Sequence, residues 1–269
     1  MTAQNKLANK NKSRKFICVG LDTDIENIPK HILKTENPVL EFNKRIIENT
    51  AEYAAAYKLN FAFYEKDGEQ GIQNLLQTIE LIPEDILTIA DAKRGDIGNT
   101  AKMYAKEIFD LFKFDSVTLN PYMGKDSLEP FLSYNDKLNF ILALTSNPGA
   151  SDFEKLKCED GNFIFQKVID KVSSWNQANN CGLVFGATQI EELKENLSRT
   201  IQLPLLIPGV GAQGGSFTDI VKLLKTVPEK NYIVNVSRGI IYKSKEIDFA
   251  EAAESEIIKY NNIAAEVLY

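Results

Sequence analysis

Histidine is almost missing from this chain of 269 residues, where His31 is the single example. A serine, histidine and aspartate triad or a multi-histidine metal centre needs imidazoles brought to a shared site, so neither is expected. His31 stands close to Pro29 in a loop and is read as a surface residue. Cysteine is also scarce: Cys18, Cys158 and Cys181 are odd in number and lack metal-ligand spacing. Two of them sit inside apolar runs, where a thiol packs as a small hydrophobe. This usage fits a reducing cytoplasm, which is the expected location. No apolar run reaches the roughly 18 residues that a membrane helix needs, and residues 1–15 are polar and basic without the apolar centre of a signal peptide. No membrane partner is expected. Basic residues are not in excess either. A net charge of -6 and a pI near 5.1 exclude a protein that coats nucleic acid, because phosphate polymers demand basic faces. Any anionic ligand must therefore be met by cations placed locally.

What the chain does have is apolar sequence in short, regular runs. At 44 % apolar residues it can form a sizeable core, and no composition break marks a linker. Residues 1–14 are read as a polar, basic tail and 15–269 as one domain. Strands are expected at 15–22, 54–61, 86–90, 116–120, 140–146, 182–188, 203–210 and 232–236. Between and after them, helical periodicity falls at 40–53, 71–82, 100–112, 127–134, 163–175, 191–198, 217–224 and 249–260. Strands that are apolar throughout and alternate with helices indicate a parallel sheet covered on both sides. Eight such units predict an α/β fold of the (β/α)8 TIM-barrel type; an open, doubly wound sheet is the alternative.

In a barrel the C-terminal ends of the strands converge on one mouth, and the charged residues cluster there. Asp22, Lys58, Asp91, Lys93, Ser146 and Arg238 all stand at such ends. The third strand runs out into Asp91-Ala92-Lys93-Arg94-Gly95-Asp96. Side chains two apart on a strand share a face, so Asp91 and Lys93 are expected on one side, their Cα atoms about 6 to 7 Å apart, with Ala92 on the other. Gly95 permits a turn, and Asp96 beyond it can reach the pair only from a loop or from another subunit. A carboxylate at about 4 Å favours the charged lysine by roughly 4 kcal/mol at an effective dielectric near 20, less what desolvation removes. Lys93 is thus biased toward ammonium. It suits a proton donor to a developing carbanion better than a Schiff-base nucleophile, which must lose its proton. The glycine-rich stretch 209–215 after the seventh strand, with Ser237 and Arg238 after the eighth, lies where barrels bind a phosphate through backbone N–H groups and a guanidinium.

These residues, taken together, resemble the orotidine 5′-phosphate decarboxylase family, in particular its longer bacterial-type subgroup, over most of the span 11–242. The resemblance is carried by Cys18-Val19-Gly20-Leu21-Asp22 and by segments 58–65, 91–100, 118–122, 144–150, 208–215 and 235–238. It implies a decarboxylation of orotidine 5′-monophosphate to uridine 5′-monophosphate, without cofactor or metal, in de novo pyrimidine synthesis. It further implies that Lys93 protonates C6 and that Asp91 lies beside the departing carboxylate. Lys58 and Asp22 would hold ribose hydroxyls, while Asp96 and Thr100 would come from the partner in a homodimer. Ser146 would contact the pyrimidine, Gln213 would reach toward the phosphate, and Arg238, beside Ser237, would bind it. Asn60 and Asn120 either line the site or cap strand ends. One departure is Asp22-Thr23, where the subgroup often shows Asp-Pro. No phosphoribosyltransferase segment accompanies the barrel, so a single activity is expected.

Two other readings share parts of this pattern. A metal-dependent sugar-phosphate decarboxylase has the same D-x-K-x-x-D arrangement, but it places an acid at the exit of the second strand, where Lys58 would repel a cation. A catalytically silent barrel that binds nucleotide phosphates would have no use for two carboxylates beside an anionic ligand.

Overall fold

The computed structural model describes residues 1–211, 214–227 and 231–268. Eight parallel strands close into a barrel in sequence order, and β8 returns to β1 through Ile17 opposite Val234, Cys18 opposite Asn235 and Val19 opposite Val236. The elements run α1 (Ala3–Lys12), β1 (Ile17–Gly20), α2 (Pro38–Thr50), β2 (Ala56–Asn60), α3 (Phe61–Glu65), α4 (Gly68–Glu80), β3 (Leu87–Arg94) and α5 (Gly98–Lys106). They continue as β4 (Ser116–Leu119), α6 (Glu129–Leu132), β5 (Leu138–Leu144), α7 (Ile164–Trp175), β6 (Cys181–Phe185), α8 (Ile190–Glu195) and α9 (Leu197–Thr200). The chain closes with β7 (Leu205–Pro208), α10 (Phe217–Leu224), β8 (Tyr232–Val236), α11 (Arg238–Ile241) and α12 (Phe249–Leu268). The barrel reading therefore holds and the open sheet does not.

Alternation along the strands explains both the apolar runs and the placement of the polar residues. Outward positions such as Val19, Leu59, Val117, Ile141, Leu183, Ile207 and Val234 pack under the helices in one large core. Inward positions such as Cys18, Ala56, Leu87, Ile89, Leu138, Phe140, Val184, Leu206 and Ile233 fill the lower barrel as a second core. The strands thus bury both faces, which is why each reads as a continuous apolar run. Following the inward set toward the C-terminal ends, Ala56 is succeeded by Lys58, Ile89 by Asp91 and Ile233 by Asn235. The barrel interior changes from apolar to polar or ionic within one pleat.

The segment read as a polar tail is instead helix α1, which covers the N-terminal end of the barrel. Thr2 accepts the Asn5 N–H at its start, and Ala3 and Leu7, one turn apart, pack into the inner core. Lys6 reaches both carboxylate oxygens of Asp115 at 2.9 Å, and Lys10 reaches Asp85 at 2.6 Å. Asn11 brackets the backbone of Tyr232, donating to its carbonyl at 3.0 Å and accepting its N–H at 3.1 Å. Two buried apolar residues in a basic decapeptide are too thin a stripe to show by periodicity, and the partners of its polar residues lie far along the chain.

Other boundaries moved for local reasons. Helix α2 begins at Pro38 because Asn37 caps it, accepting the Leu40 N–H at 3.2 Å. The expected helix at 191–198 is split at Asn196 into α8 and α9. That expected at 127–134 contracts to α6, and α12 continues to Leu268. Strand β3 passes beyond Ala90 to Arg94. His31 is half-buried against the ring of Phe249, at 5.8 Å between centroids, which corrects its reading as a surface residue. Among the described residues no helix is long and apolar enough to cross a membrane.

Candidate active site

A cavity of about 320 Å³ opens at the C-terminal mouth of the barrel. Asp22, Lys58, Asp91 and Lys93 line it from the first three strands, and Ser146, Ser237 and Arg238 from the fifth and eighth. The residues that the charge pattern singled out at strand ends are thus brought to one space.

Its centre is the carboxylate of Asp91. One oxygen, Oδ2, accepts from Lys58 Nζ at 2.7 Å. The other, Oδ1, accepts from Lys93 Nζ at 2.7 Å and from the Thr118 hydroxyl at 3.0 Å. Lys58 Nζ also stands 3.6 Å from Asp22 Oδ1, an oxygen enclosed without a hydrogen-bond partner among the described residues. Burial alone would push Asp91 toward the neutral acid, yet the ammonium groups of Lys58 and Lys93 outweigh it and hold the carboxyl well below the usual range. For Lys58 burial opposes the charge as well, and the Asp91 and Asp22 carboxylates reverse that, so its pKa is raised. Cys18, beneath Lys58, is pushed up by burial and stays a thiol, in keeping with its reading as a small hydrophobe.

The backbone around this carboxylate is irregular. Ala90 pairs with Val117 and Arg94 with Leu119, so Asp91, Ala92 and Lys93 stand opposite Thr118 alone. Such a bulge bends the strand and re-aims its side chains. Lys93 takes a φ of 46°, a left-handed conformation that non-glycine residues seldom adopt. Its N–H donates to Thr118 Oγ1 at 3.0 Å. Asp91 and Lys93 do meet, as expected, while Ala92 packs outward against the helix core. Outside the barrel, Arg94 lies over the rings of Phe61 and Tyr104, at 5.4 and 4.7 Å, and pairs with Glu65 at 3.0 Å. Gly95 touches the strand-four loop so closely that a Cβ there would sit 2.6 Å from the Asn120 carbonyl oxygen.

On the opposite wall, Ser237 Oγ donates to the Gly20 carbonyl at 3.0 Å, tying β8 to β1. Arg238 is the first residue of α11 and is exposed; its carbonyl accepts the Tyr242 N–H at 3.2 Å, and its guanidinium makes no hydrogen bond or ion pair among the described residues. Gly209, Gly211 and Gly214 all take positive φ, which explains glycine at those places in the loop. Gln213 falls outside the described residues. Asn60 lines the cavity and also caps α3, accepting the Ala62 N–H at 3.2 Å. Asn120 stands outside the cavity lining, and its side chain accepts the Tyr122 N–H at 3.1 Å, a cap. Asp96 and Thr100 also stand outside it: Asp96 accepts the Ile97 N–H at 2.8 Å, and Thr100 is exposed on α5.

Sequence reasoning included Thr118, Asn235 and the base of the loop after β5 in the segments of resemblance but did not single out their side chains as part of the site. Thr118 follows Ser116 by one inward step and Asn235 follows Ile233 likewise, so the period of two was the available signal. At the loop base Glu154 accepts from both the N–H and the hydroxyl of Thr145, at 2.6 and 2.9 Å, beside Ser146. No local pattern announces that contact.

A carboxylate held between two ammonium groups at the mouth of a closed barrel defines a (β/α)8-barrel enzyme. Among the described residues no three acids, cysteines or histidines are grouped as metal ligands, and Lys58 pairs with both acids of the cavity lining, Asp22 and Asp91. The chain belongs to the orotidine 5′-phosphate decarboxylase / HUMPS family, whose model matches residues 15–254. Its similarity to orotidine 5′-phosphate decarboxylase of Flavobacterium johnsoniae is 46 % identity over 260 residues, covering 96 % of this chain and 94 % of that one. To the enzyme of the same name from Dehalococcoides mccartyi it is 48 % identical over 246 residues, 90 % of this chain and 89 % of that one. Among solved structures, OMP decarboxylase of Leishmania donovani superposes with a TM-score of 0.85 at 36 % identity, covering 98 % of this chain and all (100 %) of that one.

Proposed function

We propose that this enzyme converts orotidine 5′-monophosphate to uridine 5′-monophosphate and CO2, as a step of pyrimidine biosynthesis, with Lys93 as the proton donor. The observation that carries the reading is the row Lys58, Asp91, Lys93, locked by Thr118 at the cavity wall, in a chain of this family. Asp91 stays ionised, so a substrate carboxylate beside it is repelled, and that repulsion disappears as CO2 leaves. An interaction worse in the ground state than in the transition state lowers the barrier. The bond from C6 to the carboxylate carbon breaks, its electron pair remains on C6, and the Lys93 ammonium transfers a proton there. Water then returns a proton to the amine. Lys58 and Asp22 are assigned to ribose hydroxyls, Ser146 to the pyrimidine, and Ser237 with Arg238 and Gln213 to the phosphate. Asn60 is assigned to the cavity wall.

Asp96 and Thr100 are assigned to the site of a second copy, which makes the enzyme a homodimer. Support comes from exposed apolar side chains around them, Ile97 and Met103 on one loop and helix, Tyr122 and Met123 on the adjoining one. The proposal places the reaction in the cytoplasm, where the free thiols of Cys18, Cys158 and Cys181 stay reduced.

The test is to follow the loss of orotidine monophosphate absorbance in excess EDTA with purified, folded protein. Metal-independent loss with uridine monophosphate as product is the expected result. No consumption overturns the proposal. Activity that EDTA abolishes favours a metal-dependent sugar-phosphate decarboxylase, against which the ammonium of Lys58 between Asp22 and Asp91 now argues.

A further inference from the structure

We propose that Thr118 is the positioning residue that sets the Lys93 ammonium against Asp91; this deepens the proposed decarboxylase reading and rests on it. Thr118 is 2 % exposed, on the inner face of β4, directly opposite the bulge. A hydroxyl has one hydrogen to give. Because Thr118 Oγ1 faces the Lys93 N–H, which can only donate, a lone pair is used there and the hydroxyl hydrogen is directed to Asp91 Oδ1. The proton arrangement is therefore determined. One side chain holds the backbone of the proton donor and, with the same oxygen, the carboxylate to which its ammonium is paired.

Register with β4 is interrupted between Ala90 and Arg94, so no ladder partner serves the Lys93 N–H. The left-handed backbone of Lys93 is sustained by its surroundings, and Thr118 is the neighbour that bonds it from inside the barrel. The hydroxyl also completes the set of donors on Asp91: with Lys58 on Oδ2 and Lys93 on Oδ1, it prevents rotation of the carboxylate. Branching at Cβ restricts Thr118 to few rotamers, so the hydroxyl is itself held in place.

The test compares Thr118→Val, which keeps the shape and removes the hydroxyl, with Thr118→Ser, which keeps the hydroxyl. For Thr118→Val we expect kcat to fall about 10- to 100-fold with KM within about threefold, the range for one hydrogen bond to a charged group. Thr118→Ser should stay within about threefold of the wild type. The acid limb of kcat should move to higher pH in Thr118→Val, because Asp91 has lost a donor to its ionised form. Exchange of the Lys93 amide proton with solvent should speed up in Thr118→Val and not in Thr118→Ser, at similar melting temperature. The proposal is overturned if the valine variant loses only thermal stability, if serine is as slow as valine, or if Lys93 amide exchange is unchanged. The exchange readout needs no turnover, so it judges Thr118 even where wild type fails to consume orotidine monophosphate, an outcome that sinks the reaction assignment instead. Should the valine variant fail to fold, Thr118→Ala carries the same expectations.

Discussion

Lys58 Nζ and Asp91 Oδ2 stand 2.7 Å apart across the junction of β2 and β3, both side chains largely shielded from water. The pair is charged over a wide range of pH. Asp91 has its folded pKa depressed below the ordinary 3.8, so its contribution to stability is present above that value and is lost as pH falls through the depressed one. Lys58 has its folded pKa raised above the ordinary 10.5, so its contribution is complete below that value and is lost as pH rises through the raised one. The difference in unfolding free energy between wild type and Asp91→Asn should therefore be flat from about pH 5 to about pH 9 and shrink in acid below the ordinary carboxylate value. Urea unfolding across pH measures it. A difference that slopes through neutrality would show that the two groups are not ionised together.

Lys93→Ala should lose turnover by several orders of magnitude while remaining folded. The lysine side chain is half exposed, so its truncation leaves no cavity, and Asp91 keeps the Lys58 ammonium and the Thr118 hydroxyl as partners. Thermal unfolding and steady-state kinetics on the same preparation check this. Retained turnover would remove Lys93 as the proton donor.

Mixing the inactive variants Lys93→Ala and Asp96→Asn should restore activity. If each site draws Lys93 from one subunit and Asp96 from the other, half of the randomly formed dimers carry one intact site, about a quarter of all sites. Activity should grow as subunits exchange. A mixture that stays inactive under proven exchange would place Asp96 in its own subunit's chemistry or in none.

Gly20→Ala should weaken nucleotide binding more than it slows chemistry. A Cβ at Gly20 would lie 2.7 Å from Ser237 Cβ, so the start of α11, where Arg238 stands, must shift. We expect KM to rise about tenfold with kcat changed by less than about threefold. Equal loss in both would mean that the displacement reaches the charged row.

Lys6→Ala should destabilise the barrel without touching the mouth. It would leave Asp115 buried and unpaired by charge, although Asp115 Oδ2 still accepts from the N–H and hydroxyl of Thr88 at 2.9 and 3.1 Å. Breaking a buried pair from one side costs about 3–5 kcal/mol. Chemical unfolding gives the number, and kcat measured well below the melting temperature should be unchanged.

Much of this molecule was legible in one dimension. The barrel was announced by short apolar runs alternating with helical periods, because each strand buries both faces and each helix one stripe. The site residues were legible because inward positions change from apolar to ionic at strand ends, as Ile89 does to Asp91 and Ala56 to Lys58. Asp91 and Lys93 are two residues apart, so their pairing could be anticipated. Thr118 is 25 residues from the backbone N–H it accepts, and an isolated threonine in a strand looks like any other.

The sequence by itself therefore determined the fold class, the order of the elements and which charged residues could meet at the mouth, because these depend on periods of two and 3.6 along the chain. Only the tertiary structure decided that the basic N-terminal segment is a helix sealing the barrel, with Lys6 paired to Asp115 at a separation of 109 residues. It alone decided that β3 bulges against Thr118 and turns Lys93 left-handed. Both depend on contacts between segments that are remote in sequence, and a local pattern holds no record of which partner arrives.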